Sequence, residues 1–345
     1  SQKPIEHGAF TAASYNLRYV NEGDSIAGNG WGTRYPVIAK LIQYHDFDIF
    51  GTQEGYIRQL EDLKTALPGY TYIGVGRNDG KEAGEHSAIF YRTDKFDLLK
   101  KGDFWLSETP DTASIGWDAV LPRICSWGHF KCKDSGFEFL FFNLHMDHIG
   151  KKARVESAFL VQEKMKELGA NLPAILTGDF NVDQTHSSYK ALTEKGVLVD
   201  SYETADFRYA TNGTFNSFDP NNFTESRIDH VFISPLFKVK KYGVLTDTYR
   251  SAKATGIEKA NAKDCPEEIS IESYEARTPS DHFPVKVELI YSSLCFPHGE
   301  VRQAMGAKLL KRRINADFRK TTKEREYQHF NLRFIWIIVF CVTLW

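Results

Sequence analysis

Polar and ionisable residues stand where apolar runs begin or stop. Asn16 follows "AASY", Glu54 follows "DIFGTQ", His145 follows "LFFNL", and Asp179 and Asn181 follow "AILTG". Asp229 lies in "SRIDHVFIS", and Asp281 and His282 precede "FPVKVEL". A lone carboxylate in such a place is ordinarily a turn or helix cap. So many of them need a further reason. If sheet edges converge, several carboxylates come together, and like charges that close cost stability unless a cation sits among them. Oxygen ligands from Glu, Asp and Asn select a hard cation, Mg²⁺ or Mn²⁺. Mg²⁺ that keeps part of its water shell pairs readily with phosphate oxygens, so the expected substrate is a phosphate ester.

The histidines supply proton chemistry. A water activated near pH 7 must lose a proton, and imidazole has the pKa for it. A buried carboxylate beside the ring would fix its tautomer and raise its basicity. A second His could hydrogen-bond charge developing on phosphoryl oxygens. No GxSxG elbow, Walker A motif or GxGxxG loop competes with this reading.

Elements that could carry these residues alternate along the chain. "FTAASYNLRYV", "FDIFGTQE", "YTYIGVG", "HSAIFYR", "FDLLKKGDFWLS", "RICSWGHFKC", "FEFLFFNLHM", "LPAILTGDF", "RIDHVFIS", "KVKKYGVLT" and "HFPVKVELIY" read as strands. "RYPVIAKLIQYH" reads as a helix with Pro36 in its first turn, "YIRQLEDLKTAL" and "SSYKALTEKG" as two more. Residues 151–168 form an amphipathic helix with Val155, Phe159, Gln162, Met165 and Leu168 on its sheet-facing side. About a dozen strands and few helices imply two packed mixed sheets with helices outside. No linker intervenes before about residue 292, so residues 1–291 are expected to be one domain and 292–345 a basic extension with a short apolar end.

Charge is unevenly spread. Residues 292–345 hold ten Lys/Arg and four Asp/Glu, net +6; with −2 for the whole chain, residues 1–291 carry −8. That argues against non-specific duplex binding. The five cysteines form no CxxC pair, and Cys125 and Cys132 are expected to be ordinary thiols on one strand. The tail "FIWIIVFCVTLW" is short of the ~20 residues that span a bilayer. The first residue is Ser rather than Met; if this reflects removal of a signal peptide, an extracytoplasmic location is favoured.

In order and spacing, "YNLRY" (15–19), "GTQE" (51–54), "NLHMDH" (143–148), "LTGDFNV" (176–182), "RIDHVF" (227–232) and "SDHFPV" (280–285) resemble the motifs of the endonuclease/exonuclease/phosphatase superfamily. The resemblance runs through residues 1–291, and "GDFN" with "SDH" is its most specific part. It implies a four-layer α/β/β/α sandwich and a metal-dependent hydrolase of phosphate esters. Glu54 would be the main metal ligand, with Asn16 beside it and Asp281 adjacent, directly or through water. Asp179 and Asn181 would position the nucleophilic water and the scissile phosphate, and His145 would hydrogen-bond a phosphate oxygen. His282, oriented by Asp229, would be the general base or the transition-state stabiliser. "GVGRNDGKEAGE" (74–85), "FWLSETP" (104–110), "LPRICSW" (121–127), "GKKARVESA" (150–158) and "GTFNSF" (213–218) resemble an uncharacterised, mainly bacterial branch near the deadenylase-like members. His86, in "HSA", departs from that branch's pattern.

Arg34, Arg77 and Arg123 are candidates for pairing with phosphate, as Trp31, Trp105 and Trp117 are for stacking a ring. Asp147 lies two residues beyond His145 and would face the same side of an extended chain, where it could choose the substrate through a sugar hydroxyl. Its alternative role is a cap for the helix near Lys151. Expected partners are a short single-stranded nucleic acid, a nucleotide or a small phosphate ester, with no protein partner implied. Two other classes compete: a lipid phosphodiesterase held at a membrane by the tail, and a non-catalytic binding module. The second should have lost ligand residues, yet Asn16, Glu54, His145, Asp179, Asn181, Asp229 and His282 are all present.

Overall fold

The computed structural model describes residues 7–292 apart from 254, 257, 260–265 and 267. Its elements in chain order are β1 (His7–Asn16), α1 (Glu22–Ile26), α2 (Trp31–Tyr44), β2 (Ile49–Gln53), α3 (Ile57–Ala66), β3 (Tyr70–Ile73), β4 (Ile89–Arg92), β5 (Phe96–Trp105), β6 (Ile124–Cys132), β7 (Glu138–His145), α4 (Lys151–Gly169), β8 (Ala174–Asp179), α5 (Ser187–Thr193), β9 (Val199–Asp200), α6 (Ser201–Thr204), β10 (Phe207–Tyr209), β11 (Asp229–Ile233), β12 (Lys238–Val244), β13 (Tyr249–Ser251), β14 (Glu258–Lys259), β15 (Glu272–Ser273), β16 (Glu275–Arg277) and β17 (Val285–Ser292).

Two mixed sheets hold most of these strands. One has the order β10-β12-β17-β1-β2-β4-β3, the other β5-β6-β7-β8-β11-β9. β1 and β2 are parallel at the centre of the first, as β7 and β8 are in the second. Between the sheets lies a core rich in phenylalanine: Phe10, Phe96, Phe130, Phe139 and Phe141 meet Val285, Val287 and Leu289. A second core fills the space between the second sheet and α4 with α5, and a third lies between the first sheet and α2 with α3. These three apolar seams make the four-layer α/β/β/α sandwich. The C-terminal extension and Cys265, Cys295 and Cys341 lie outside the described residues. Cys125 and Cys132 are buried free thiols. Among the described residues no helix is long and apolar enough to cross a membrane.

Two local expectations change. α2 begins at Trp31, so Pro36 is inside it rather than in its first turn. α4 buries Ala153, Ala158, Val161 and Met165, while Phe159 is 37% exposed beneath the Lys195 ammonium. Small alanines let the helix lie close to the sheet, and the large ring is displaced to the rim.

Near the site the two sheets are joined by polar contacts. Asn143 on β7 donates to the carbonyls of Thr52 (2.7 Å) and Ala88 (2.9 Å) and accepts from Gln53 Nε2 at 2.7 Å. Gly51 makes room for this: a Cβ there would stand 2.2 Å from Asn143 Oδ1 and 2.3 Å from Thr177 Oγ1. Gly51→Ala is therefore expected to destabilise the fold by about 1–3 kcal/mol. Chemical denaturation should show the loss as a lower midpoint with an unchanged slope.

Candidate active site

β-pairing aligns the key side chains. His145 ends β7, Asp179 ends β8 and Asp229 begins β11; His145 and Asp229 are both register partners of Asp179. Across the sandwich, Asn16 ends β1 and is paired with Gln53, the residue before Glu54. β17 returns antiparallel beside β1, which delivers Asp281 and His282 to the same end. Ser280 Oγ donates to the Asn16 carbonyl at 2.6 Å and ties that approach down.

These residues are in direct contact. Asn16 Nδ2 donates to Glu54 Oε1 and to Asp179 Oδ2, both at 3.0 Å. The Asn181 amide N–H donates to Asp179 Oδ1 at 2.9 Å, and the Tyr19 amide N–H to Glu54 Oε2 at 3.1 Å. His282 Nδ1 lies 2.8 Å from Asp229 Oδ2, and its Nε2 lies 3.7 Å from Asp179 Oδ2. Asn181 Nδ2 lies 3.2 Å from His145 Nε2 and 2.9 Å from the Met146 carbonyl. With Asn181 donating to both, the His145 ring accepts at Nε2 and carries its proton at Nδ1. Glu54 has φ of 65° and Asn181 of 50°. Asn tolerates that region; Glu does not, and such strain persists only where the surroundings over-determine it.

Electrostatics separate the two rings. Burial opposes charge on His282, but Asp229 and Asp179 outweigh it, and the ring holds its proton well above the usual imidazole range. Burial, with the nearby Arg123 charge, pushes His145 down to about 3, so that ring is neutral. Burial and the neighbouring Asp229 push the Asp179 carboxyl up, and burial pushes Asp281 up to about 6.

Side-chain oxygens of Glu54 and Asp179 and a ring nitrogen of His282 lie within 4.8 Å of one another, and with the His282 ring protonated the two carboxylates are the ones free to hold a cation. Among the described residues neither Glu54 nor Asp179 is paired with Lys or Arg; their bonded partners are amides, with imidazoles nearby. Two buried or half-buried carboxylates with no such counter-charge fit a divalent cation. Asp281 is placed differently: its carboxylate is 3.5 Å from Arg18 Nη1 and it stands outside this closest trio.

Two expected substrate contacts take other roles. Arg34 is fully buried and donates to the carbonyls of Asn29, Leu17, Pro279 and Arg18 at 2.8, 2.8, 2.9 and 3.2 Å. It staples the end of β1 to the segment before Asp281 and does not reach the mouth. Arg34→Met would orphan the Asn29, Leu17 and Pro279 carbonyls, each worth about 1–3 kcal/mol, while the Arg18 carbonyl keeps its bond from Gln59 Nε2. The expected result is a lost or strongly lowered thermal midpoint, not a selective rise in KM. Asp147 accepts from the amides of Ile149 (3.1 Å) and Gly150 (2.8 Å) and from Arg123 Nε (3.2 Å). These bonds hold its carboxyl below the ordinary range despite burial. It grips a turn and an arginine. The start of α4 is capped instead by Asp118, which accepts from Ala153 N at 2.7 Å and Lys152 N at 3.2 Å.

Arg77 and Arg123 do come beside His145, in one recess with Glu85 and His86. His86 is 2% exposed, and its amide donates to the Gly55 carbonyl at 2.9 Å. Glu85 was not among the expected residues, although it closes "GVGRNDGKEAGE". Phe215 was also missed: its ring is 39% exposed and packs edge-on against His282, with centroids 5.1 Å apart. Its signal was the "GTFNSF" segment.

Comparison with known proteins places this geometry. Residues 13–282 match the sequence model of the Endonuclease/Exonuclease/phosphatase family. A crystal structure of an endonuclease/exonuclease/phosphatase family protein from Bacteroides thetaiotaomicron is 73% identical, covers 83% of this chain and 99% of that one, and superposes with a TM-score of 0.77. A mannosyl-6-phosphatase of the same species is 74% identical, with 81% and 99% covered and a TM-score of 0.75. The human Nocturnin catalytic domain, at 16% identity, 84% and 99% coverage and a TM-score of 0.57, shares the fold.

Proposed function

Because the chain belongs to the endonuclease/exonuclease/phosphatase family, we propose that it is a divalent-metal-dependent phosphatase acting on a sugar 6-phosphate of the mannosyl kind. Its membership makes it a phosphoric ester hydrolase. The observation that supports the finer reading is the 74% identity to a mannosyl-6-phosphatase along 99% of that protein. The −8 charge of residues 1–291 agrees with a small substrate rather than a long duplex.

Glu54 and Asp179 would hold the cation, and their oxygens suit Mg²⁺ or Mn²⁺. Bound there, it would supply Lewis-acid neutralisation of phosphoryl charge. The protein's own groups do the rest. Asp179, anchored by Asn16 and by the Asn181 amide, orients the attacking water. Asn181, fixed by His145 and the Met146 carbonyl, faces the phosphoryl group. His282, held protonated by Asp229, donates to a phosphoryl oxygen as negative charge builds on it. Water attacks phosphorus in line as the bond to the sugar oxygen breaks; the water's proton passes to the Asp179 carboxylate that orients it, the departing oxygen takes a proton from solvent, and no covalent intermediate is needed.

The test is phosphate release from mannose 6-phosphate and glucose 6-phosphate, set beside a dinucleotide, poly(A), duplex DNA and sphingomyelin. Mg²⁺ and Mn²⁺ are compared with EDTA, and His282→Ala serves as the blank. Hexose 6-phosphates should be the best substrates. Cleavage of the diesters without phosphate release from either sugar would reject the phosphatase reading and leave a phosphodiesterase.

A further inference from the structure

A single hydrogen bond joins the side chains of Asp229 and His282. His282 Nδ1 is 2.8 Å from Asp229 Oδ2, whereas Asp229 Oδ1 is buried with no partner among the described residues. A carboxylate has about four acceptor sites, so one bond leaves its orientation weakly determined from the side-chain end. The aim of the pair must then come from the backbone that carries each residue.

One short segment fixes both backbones. Thr214 lies in the loop between β10 and β11 and is fully buried. Its Oγ1 accepts from the amides of Ile228 at 2.9 Å and Asp229 at 3.0 Å. Its own amide donates to the Ser226 carbonyl at 3.2 Å, and its carbonyl accepts from the Phe283 amide at 2.7 Å. Two residues on, Asn216 is fully buried as well. The amides of Asn216 and Ser217 donate to the Asp281 carbonyl at 2.8 and 3.1 Å. Asn216 Nδ2 donates to the Ser280 carbonyl at 3.1 Å, and Thr278 Oγ1 donates to Asn216 Oδ1 at 3.1 Å. The peptide groups on both sides of His282 are thus bonded to residues 214–217, and so is the amide of Asp229. Between these anchors Phe215 bridges to His282 and lays its ring against the imidazole.

Backbone geometry agrees. Ser217 has φ of 55° and Phe218 of 61°, two successive non-glycine residues in the left-handed region. Such strain persists only where the surroundings over-determine it, and it gathers at functional sites. Phe218 is held there by its amide bond to Asn216 Oδ1 at 2.8 Å and by the Arg34 guanidinium, 5.3 Å above its ring centroid. Within the segment the Thr214 hydroxyl is the one side-chain atom bonded to the amide of Asp229. Valine would fill about the same space and accept no bond.

We propose that Thr214 is a positioning residue for the Asp229–His282 pair. Its hydroxyl sets the carboxylate and its carbonyl sets the ring, so that His282 Nε2 is aimed at the phosphoryl oxygen. Thr214 acts through those two residues and touches no reacting atom. The assignment rests on the role given to His282 above and is independent of which phosphate ester is cleaved. Without the hydroxyl, two buried amides lose their acceptor and the start of β11 shifts, which carries the carboxylate away from the ring. A misplacement of this kind acts on the transition state, where the His282 N–H is needed, more than on substrate binding.

The experiment compares Thr214→Ser, Thr214→Cys and Thr214→Val with wild-type protein, in kcat and KM for mannose 6-phosphate with Mg²⁺ present. Each is assayed below its thermal midpoint, read by circular dichroism. Thr214→Ser keeps the acceptor and should stay within about threefold of the wild-type kcat. Thr214→Val should lose about tenfold or more in kcat while KM stays within about threefold. Thr214→Cys, whose sulfur is a weak acceptor, should fall about threefold or more below Thr214→Ser. A packing role alone would lower the midpoints and leave the kcat of the folded variants in place. Wild-type kcat in Thr214→Val overturns the proposal, as does a Thr214→Ser protein as impaired as Thr214→Val, or a loss seen in KM alone. If Thr214→Val does not fold, equal kcat in the serine and cysteine variants overturns it instead. Should wild-type protein cleave a dinucleotide and not mannose 6-phosphate, the sugar-phosphate reading fails, and the same comparison on the dinucleotide decides the role of Thr214.

Discussion

His282→Ala is expected to lower kcat for phosphate release by about 10²–10⁴-fold, the usual scale for a positioned proton donor or acceptor. The ring is buried at 6% exposure and sits between Asp229 and Asp179, so nothing else at the site can replace its N–H. Asp229→Asn gives a sharper test, because it keeps the shape and removes the charge. Asp229 is the strongest influence raising the His282 pKa, against the opposing effect of burial. Without it the pKa falls. If the protonated ring is the active form, activity is lost above that pKa, so the alkaline limb of the pH–rate profile moves to lower pH. A limb that stays in place while kcat falls would mean that Asp229 only packs against the ring.

Removal of the metal is the second large effect. With EDTA, or in Glu54→Gln, phosphate release should fall by about 10³-fold or more, since electrostatic stabilisation of the phosphoryl group is then absent. A stability readout separates binding from catalysis. At about 100-fold excess over its dissociation constant, an ion that binds only the folded state adds about 2.7 kcal/mol. The wild-type thermal midpoint should therefore rise by several degrees when Mg²⁺ or Mn²⁺ replaces EDTA. Glu54→Gln should lose most of that rise. Equal metal-induced shifts in both proteins would place the cation elsewhere.

How far the sequence could be read differs from residue to residue. β8 was legible because "AILTGD" is a short apolar run that closes on a carboxylate, and such a run has few other solutions than a buried strand. The same holds for β7 and β11, whose ends deliver His145 and Asp229 beside Asp179. Arg34 was not legible as a staple, because its partners include the Pro279 carbonyl, 245 residues away. Nor was Asp147. The period-two rule placed it on the side of His145, but the strand stops at His145 and the chain turns. Its carboxylate then meets two backbone amides and Arg123. α4 shows the same kind of limit: a helical wheel finds an apolar face, yet how closely the helix lies on the sheet decides between Ala158 and Phe159.

From the order of its amino acids alone, this protein is determined to be a strand-rich sandwich whose strand ends carry the acidic and imidazole groups of phosphate-ester chemistry. Alternation of apolar and polar residues, together with short motifs, is local information, and it suffices for that. Only the tertiary structure decided which of those groups meet and which are structural braces. It joined Glu54 to Asp179 through Asn16, and it set Glu85 against the far edge of His145. Hydrogen bonds and ion pairs act over a few ångströms in space without regard to distance along the chain, so their partners exist only once the two sheets have closed on each other.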